Sequence, residues 1–237
     1  MANALRRLAT ASSRVALSRV AAGAPRAFVS DASATATPCW SCDARTTALN
    51  DDASANFFCD ACGAIQPPVA ADYFALLGVE PKYALESAAL EDAMKRRQKL
   101  LHPDKFSTKS ERERRYSADQ ASAVNEAYGT LRDPLRRAKY ILEARGWGVT
   151  ERDGRDAPVD PGLLMEVMEA REAIDEANGD AEKLRELLRE HSARVTACEE
   201  ETRAALDATP MVGESAKEAV VRLTYFVRIV EEIKALL

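Results

Sequence analysis

The chain has 237 residues, 46% of them hydrophobic and 30% charged, with a formal net charge of −5. That length holds one or two compact domains of a helix-biased globular protein, and no apolar run approaches the roughly 20 residues a membrane-spanning helix needs. The acidic balance disfavours nucleic acid as a partner, and two histidines without a Gly-rich phosphate loop leave little material for catalysis.

Residues 1–30 carry Arg6, Arg7, Arg14, Arg19 and Arg26, and no acid precedes Asp31. Rich in Ala and Ser, with arginines breaking any apolar centre at roughly helical spacing, this stretch has the composition of an organelle transit peptide rather than a secretory signal. The address is read as the mitochondrial matrix, although chloroplast leaders share these traits. Arg26-Ala27-Phe28 suggests cleavage just before Val29 or Ser30. Without the leader the formal charge becomes −10. The remaining charge is uneven: Lys95 to Arg115 holds nine basic and three acidic residues, whereas 151–209 holds seventeen acidic and eight basic. Two surfaces of opposite sign suggest two different partners, neither of them a membrane.

Pro38 and Pro67-Pro68 bracket a loop-rich segment, 38–66, that contains Cys39-x2-Cys42 and Cys59-x2-Cys62 with sixteen residues between the pairs. This spacing fits a closed four-thiolate structural site, favouring Zn2+ over iron or a redox dithiol. So short a segment cannot bury enough apolar surface to fold alone, and a bound ion would supply the missing folding energy. Cys198 stands apart, on a helical seam, and reads as a small buried thiol.

Residues 72–146 read as a compact helical unit: Tyr73 to Leu77, Ser87 to Leu101, Ser110 to Arg132 and Pro134 to Ala144, ended by Gly146 and Gly148. On the second helix Leu90, Met94 and Leu101 share one face while Lys95 and Lys99 lie on another. Pro103 ends that helix and holds His102 and Asp104 in an exposed loop. Ser110 with Glu113 offers a capping box for the third helix, whose Ala121, Val124, Tyr128 and Leu131 can face the second.

A polar linker follows over 149–160. A carboxy-terminal domain, 161–237, then reads as three helices: 161–177, stopped by Asn178-Gly179; 180–207, stopped before Pro210; and 214–236. Leu184, Leu188, His191, Val195, Cys198 and Thr202 recur at steps of four and three, the seam of an antiparallel bundle, and Val220, Leu223, Val227, Val230 and Leu237 form a matching stripe. The expected fold is all-α: a helical hairpin unit followed by a three-helix bundle, with a small four-cysteine zinc knuckle ahead of both.

The run Asp72-Tyr73-Phe74-Ala75-Leu76-Leu77-Gly78, together with His102-Pro103-Asp104-Lys105-Phe106, resembles the J-domain of DnaJ-type co-chaperones. The resemblance implies that His102, Pro103 and Asp104 dock on a mitochondrial DnaK-type chaperone and trigger its ATP hydrolysis, with Lys95, Arg96 and Lys99 steering. Arg97 departs from the pattern, because J-domains usually place an apolar core residue there. Its stem can lie along apolar surface with the charge at the edge, or Leu100 can take its place by a small rotation of the helix.

Asn125-Glu126-Ala127-Tyr128, the run from Thr130 to Leu142, the acidic helical domain and the Cys-Trp-Ser-Cys and Phe-Phe-Cys-Asp-Ala-Cys elements resemble one branch, the HscB or Jac-type co-chaperones of iron–sulfur cluster assembly. Asp43 stands where a turn glycine is common after CxxC. The family resemblance implies an IscU-type scaffold protein as cargo, held by an apolar patch of Leu164, Met165 and Met168, an acidic rim of Glu169, Glu172 and Glu176, and a contribution from Phe226. From spacing alone, Leu164 and Met168 read as bundle core, since such stripes usually are, and the resemblance reverses that reading. A homodimer stays open, and a generalist J-protein for unfolded clients is the alternative.

Overall fold

The computed structural model describes residues 37–46, 57–68, 72–148 and 160–237. The leader expected over 1–30 and almost all of the linker expected over 149–160 lie outside the described residues. Seven α-helices form the molecule among them: α1 (Tyr73–Leu77), α2 (Ser87–Leu100), α3 (Glu111–Arg132), α4 (Pro134–Ala144), α5 (Pro161–Ala177), α6 (Ala181–Leu206) and α7 (Gly213–Ala235). Ahead of them, two-residue strands β1 (Thr37–Pro38) and β2 (Arg45–Thr46) pair antiparallel beside the cysteines.

The helix boundaries follow from capping chemistry. Ser110 and Glu113 make the reciprocal capping box that opens α3, and Asp133 accepts from the Arg136 amide at 2.8 Å to start α4 directly behind it. Asp160 caps α5 and Asp180 caps α6, each through two amides. Asn178 ends α5 in the left-handed region at φ 45°, a conformation that Asn tolerates better than most side chains.

Helices α2 and α3 form an antiparallel hairpin: Gln98 donates to Ala121 O and Asn125 Oδ1, and Ser117 Oγ donates to Leu101 O at 2.9 Å. Leu90, Leu101, Val124, Ala127 and Leu131 close its core. Helix α1 is tied to α4 by a tyrosine pair. Tyr73 stacks on Tyr140 with ring centroids 4.5 Å apart, while the Tyr140 hydroxyl donates to Asp72 at 2.6 Å and accepts from the Tyr73 amide. Burial, then that bond to Asp72, pushes the Tyr140 hydroxyl far above the usual range, so it stays protonated.

Helices α5 to α7 make the bundle. Arg222 reaches both Asp160 and Glu166, and Arg171 reaches Glu232, so α5 runs parallel to α7, with α6 antiparallel to both. Its core includes Leu163, Val167, Ile174, Leu184, Cys198, Leu223, Ile229 and Ile233. His191 and Thr202 are buried in the α6 seam as expected, but the α7 stripe is corrected at its end: Leu237 lies past the helix, 51% exposed, and Ile233 fills the core instead.

The hairpin unit and the bundle share a core. Leu206, Ala216 and Val220 pack with Ala138, Ile141 and Leu142 of α4. Asp207 accepts from the Tyr83 and Ala84 amides at 2.7 and 3.0 Å, and Arg145 donates to Leu206 O at 2.8 Å. Gly213, the first residue of α7, lies against the Trp147 indole so closely that a Cβ would collide with the ring. Asp207→Ala should cost about 1–2 kcal/mol in urea unfolding.

His191 is 3% exposed, with an unpartnered Nδ1, and burial holds its imidazole below the ordinary histidine range, Glu190 and Arg194 acting in opposite directions. Its folded form resists the proton that the unfolded chain accepts near pH ~6.5. The contribution to stability is therefore full above that pH and lost as pH falls below it. Urea midpoints should drop between about pH 7.5 and 5.5, and His191→Phe should flatten that part of the profile.

Candidate functional site

The sequence-predicted turn is held out from the surface by its neighbours. The Leu101 amide closes α2 on Arg97 O, His102 turns extended, and Pro103 opens a short 3-10 turn, Pro103–Phe106, with its fixed φ. The Asp104 amide donates to His102 Nδ1 at 3.3 Å and the Lys105 amide to His102 O at 3.0 Å. Leu101 and Phe106 are buried on either side, while the His102 and Asp104 side chains keep 58% and 89% of their surface. Lys95, Arg96 and Lys99 are exposed on α2. Lys95 pairs with Glu91 at 2.7 Å, which raises the lysine and lowers the carboxylate.

Arg97 overturns both expectations made for it. It is 1% exposed, its charge is nowhere near the edge, and Leu100 has not replaced it. Instead Nε donates to Leu76 O at 3.0 Å, so a guanidinium supplies a donor to an orphan carbonyl at the end of α1. This needs Gly78, whose φ of 66° favours glycine and whose missing Cβ leaves the room that the guanidinium occupies.

The four cysteines converge. Their sulfurs all lie within 4.8 Å of one another, Cys39 to Cys62 at 3.7 Å and Cys42 to Cys59 at 3.8 Å. A disulfide would need about 2.05 Å, whereas a tetrahedron of four sulfurs about 2.3 Å from a central ion has edges of about 3.8 Å. The two CxxC turns match: Cys39 and Cys59 donate their amides to Ala44 O and Ala64 O, and Asp43 and Gly63 donate theirs back to Cys39 O and Cys59 O. Asp43 adopts φ 58° beside the 69° of Gly63, so the departure from glycine preserves the knuckle at a local steric cost.

The sulfurs do not ionise alike without a cation. Burial opposes ionisation of Cys39, yet the Ser41 and Cys42 amides and the Gln66 side chain draw it down to about 6. The Ala44 amide lowers Cys42, but the Cys62 sulfur and burial push it up to about 12. A metal ion would relieve that crowding of charge, and this all-thiolate set can hold one.

The knuckle is docked on α3. Phe57 and Ile65 are buried in the hairpin core, Trp40 donates to Ile65 O at 2.6 Å, and Gln120 donates to Gln66 O at 3.2 Å. The Arg112 guanidinium lies 4.6 Å over the Trp40 ring, which meets Tyr116 edge-on. The roles of Trp40, Arg112 and Tyr116 escaped sequence reading because no periodicity joins residues so far apart in the chain.

On α5 the buried line is Leu163, Val167, Ala170, Ile174 and Ala177, at steps of four and three. That line already fills the core. Leu164, Met165 and Met168 therefore fall outside it, 43%, 63% and 61% exposed, so Leu164 and Met168 are not the core residues that spacing alone made them. Glu169, Glu172 and Glu176 are exposed on the same helix. Phe226 is corrected: it is 2% exposed in the bundle core, stacked on His191, with Arg194 5.8 Å from its ring, because α7 runs its core line through Leu223, Phe226, Ile229 and Ile233. Sequence reading also missed Glu166, which is half-buried and takes Arg194 at 3.2 Å and Arg222 at 3.7 Å. The only signal for it was an acid abutting the core line.

An outward turn beside a basic helix, a four-cysteine knuckle and a bundle with an exposed apolar face define a helical protein with two unlike exposed surfaces. Residues 159–234 match a family model described as the HSCB C-terminal oligomerisation domain. The chain is 36% identical over 196 residues to the iron–sulfur cluster co-chaperone protein HscB homolog of Arabidopsis thaliana, spanning 82% of this chain and 72% of that one. It is 34% identical over 203 residues to the iron–sulfur cluster co-chaperone protein HscB of Mus musculus, spanning 84% and 82%. The crystal structure of human co-chaperone protein HscB superposes with a TM-score of 0.75 at 31% identity, covering 84% of this chain and 98% of that one. The chain belongs to the HscB family of co-chaperones, and its role is that of a co-chaperone.

A strong chelator that removes an ion held by the four sulfurs should free Trp40 from Arg112 and Ile65, red-shift its emission in a Trp147→Phe background and lower the melting temperature. Asp43→Gly should remove roughly 1 kcal/mol of left-handed strain and slow metal loss to a competing chelator about fivefold.

Proposed function

We propose that the chain is an adaptor of iron–sulfur cluster assembly. Its hairpin unit, 72–146, acts as a J-domain that recruits a mitochondrial DnaK-type chaperone and stimulates its ATPase. The bundle, 161–237, holds an IscU-type scaffold protein, so that the chaperone captures the scaffold and the cluster can be transferred. The observation that carries this reading is the pair of unlike exposed surfaces on one framework: the His102-Pro103-Asp104 turn beside Lys95, Arg96 and Lys99, and the Leu164, Met165 and Met168 patch beside Glu169, Glu172 and Glu176.

The chemistry suits each role. Exposed lysines and arginines accelerate encounter with an acidic docking surface, and a small apolar patch with a charged rim has the anatomy of a specific interface. The all-thiolate tetrahedron supports Zn2+ as the resident ion, held by Cys39, Cys42, Cys59 and Cys62 in a structural role. The acid-free, arginine-rich leader over 1–30 supports the mitochondrial matrix as the address. The likeness of 159–234 to a domain described as an oligomerisation domain is compatible with a homodimer.

His102→Gln should abolish stimulation of the chaperone's ATPase, measured in single-turnover assays, while leaving scaffold binding intact. Leu164→Ser with Met165→Ser should weaken scaffold binding, measured by calorimetry, by about a hundredfold or more without lowering the melting temperature. Unchanged scaffold binding would instead favour a generalist J-protein for unfolded clients.

A further inference from the structure

The exposed residues of α5 include two sulfur atoms that an apolar contact does not require. Of five methionines in the chain, Met165 and Met168 are 63% and 61% exposed, whereas Met94 and Met211 are half-buried against the hairpin core. The Met211 sulfur also receives Arg145 Nη1 at 2.9 Å. Three residues apart on one helix, Met165 and Met168 lie on the same side and border Leu164.

We propose that Met165 and Met168 form a reversible oxidation site for hydroperoxides, and that their oxidation state decides whether the α5 patch accepts its cargo. This rests on the reading of that patch as the scaffold-binding surface. A lone pair on the thioether sulfur attacks the outer peroxide oxygen. The S–O bond forms as the O–O bond breaks, and the proton carried by the transferred oxygen passes to the departing oxygen, which leaves as water or an alcohol. The sulfur gives up two electrons and the peroxide accepts them. No deprotonation of the sulfur is involved, so access sets the order of reaction. A thiol-dependent sulfoxide reductase reverses the step: the oxygen leaves as water and two thiols become a disulfide.

Exposure makes the chemistry selective in its consequence. The core line of α5 runs through Leu163, Val167 and Ile174, so a sulfoxide at 165 or 168 stays in water and disturbs no packing in the free chain. At an apolar contact the same oxygen is a polar group that must be desolvated. Binding is lost while the fold is kept. Cys198 does not compete, because burial pushes its thiol up to about 11, away from the reactive thiolate.

The test treats the metal-loaded full chain with limiting hydrogen peroxide, maps the products by peptide mass spectrometry and titrates a purified IscU-type scaffold by calorimetry. Met165 and Met168 should each gain about 16 Da before Met94 and Met211 do. The oxidised chain should bind scaffold at least about tenfold more weakly with an unchanged far-ultraviolet melt, and a methionine sulfoxide reductase should restore binding. In Met165→Leu with Met168→Leu, which keeps apolar volume, peroxide should leave the variant's own affinity where it started, whatever that starting value is, excluding the knuckle cysteines as the cause. Oxidation of Met94 or Met211 at an equal rate, full binding by the oxidised chain, or loss of binding in the leucine variant after peroxide would overturn the proposal. If Leu164→Ser with Met165→Ser abolishes binding while oxidation does not, this inference alone falls; if neither affects binding, the reading of the patch falls with it.

Discussion

Burial of α4 against α3 on one side and the α6–α7 pair on the other is the constraint on which the molecule depends. Eleven residues long, α4 buries Arg137, Ala138, Tyr140, Ile141, Leu142 and Ala144. Leu142 and Ile141 sit in the same cluster as Val124 of the hairpin and Val220 of the bundle, so there is no plane along which the two units part without opening a core. Asp207 and Arg145 then satisfy backbone groups across the seam, at Tyr83, Ala84 and Leu206, and those bonds fix orientation where apolar contact alone would permit sliding. Under the proposed function such stiffness would present a chaperone bound at one end to a cargo bound at the other in a defined orientation.

Helix α3 carries that stiffness to the turn at His102. It is packed by α1, α2 and α4, and the cysteine knuckle lies over its first turns through Trp40 on Arg112 and Tyr116. Phe57 and Ile65 enter the hairpin core, so folding energy that an ion at the four sulfurs would supply would reach the same packing that supports α3. From α3, Ser117 holds Leu101 O, one residue before His102. This chain of contacts joins the knuckle to the turn.

Much of this was legible in the sequence because the signals were local. Capping by Ser110-x-x-Glu113, the Asn178 stop and the proline after His102 are written in neighbouring residues, and the helices lie within a residue or so of where those signals put them. The CxxC pairs predicted convergence through spacing, and the sulfurs do converge. What failed was anything decided by register between distant elements. Phe226 and Val227 are adjacent and both apolar, and only the roll of α7 makes the first core and the second half-buried. Arg97 failed differently. Charge argued for solvent, but the carbonyl end of α1, some twenty residues away, needed a donor and lay within its reach.

The exposure of Leu164, Met165 and Met168 raises a question of register. A roll of roughly 100° would bring Leu164 and Met168 inward in place of Leu163 and Val167, but it would also exchange Ala170 and Ile174 for Arg171 and Asp175. Burying those two charges rules the second register out, and ion pairs at the start of the helix reinforce the first. Glu166, half-buried, reaches Arg194 on α6 and Arg222 on α7, while Asp160 at the helix start reaches Arg222 as well. Each such pair is worth little in isolation, about 0–1 kcal/mol, but rolling α5 would break the Glu166 pairs together. They add to a preference that the composition of the helix already sets. Leu164 and Met168 stay outside because the line they share is apolar only in its first two turns, whereas the line through Leu163 and Val167 stays apolar to Ala177.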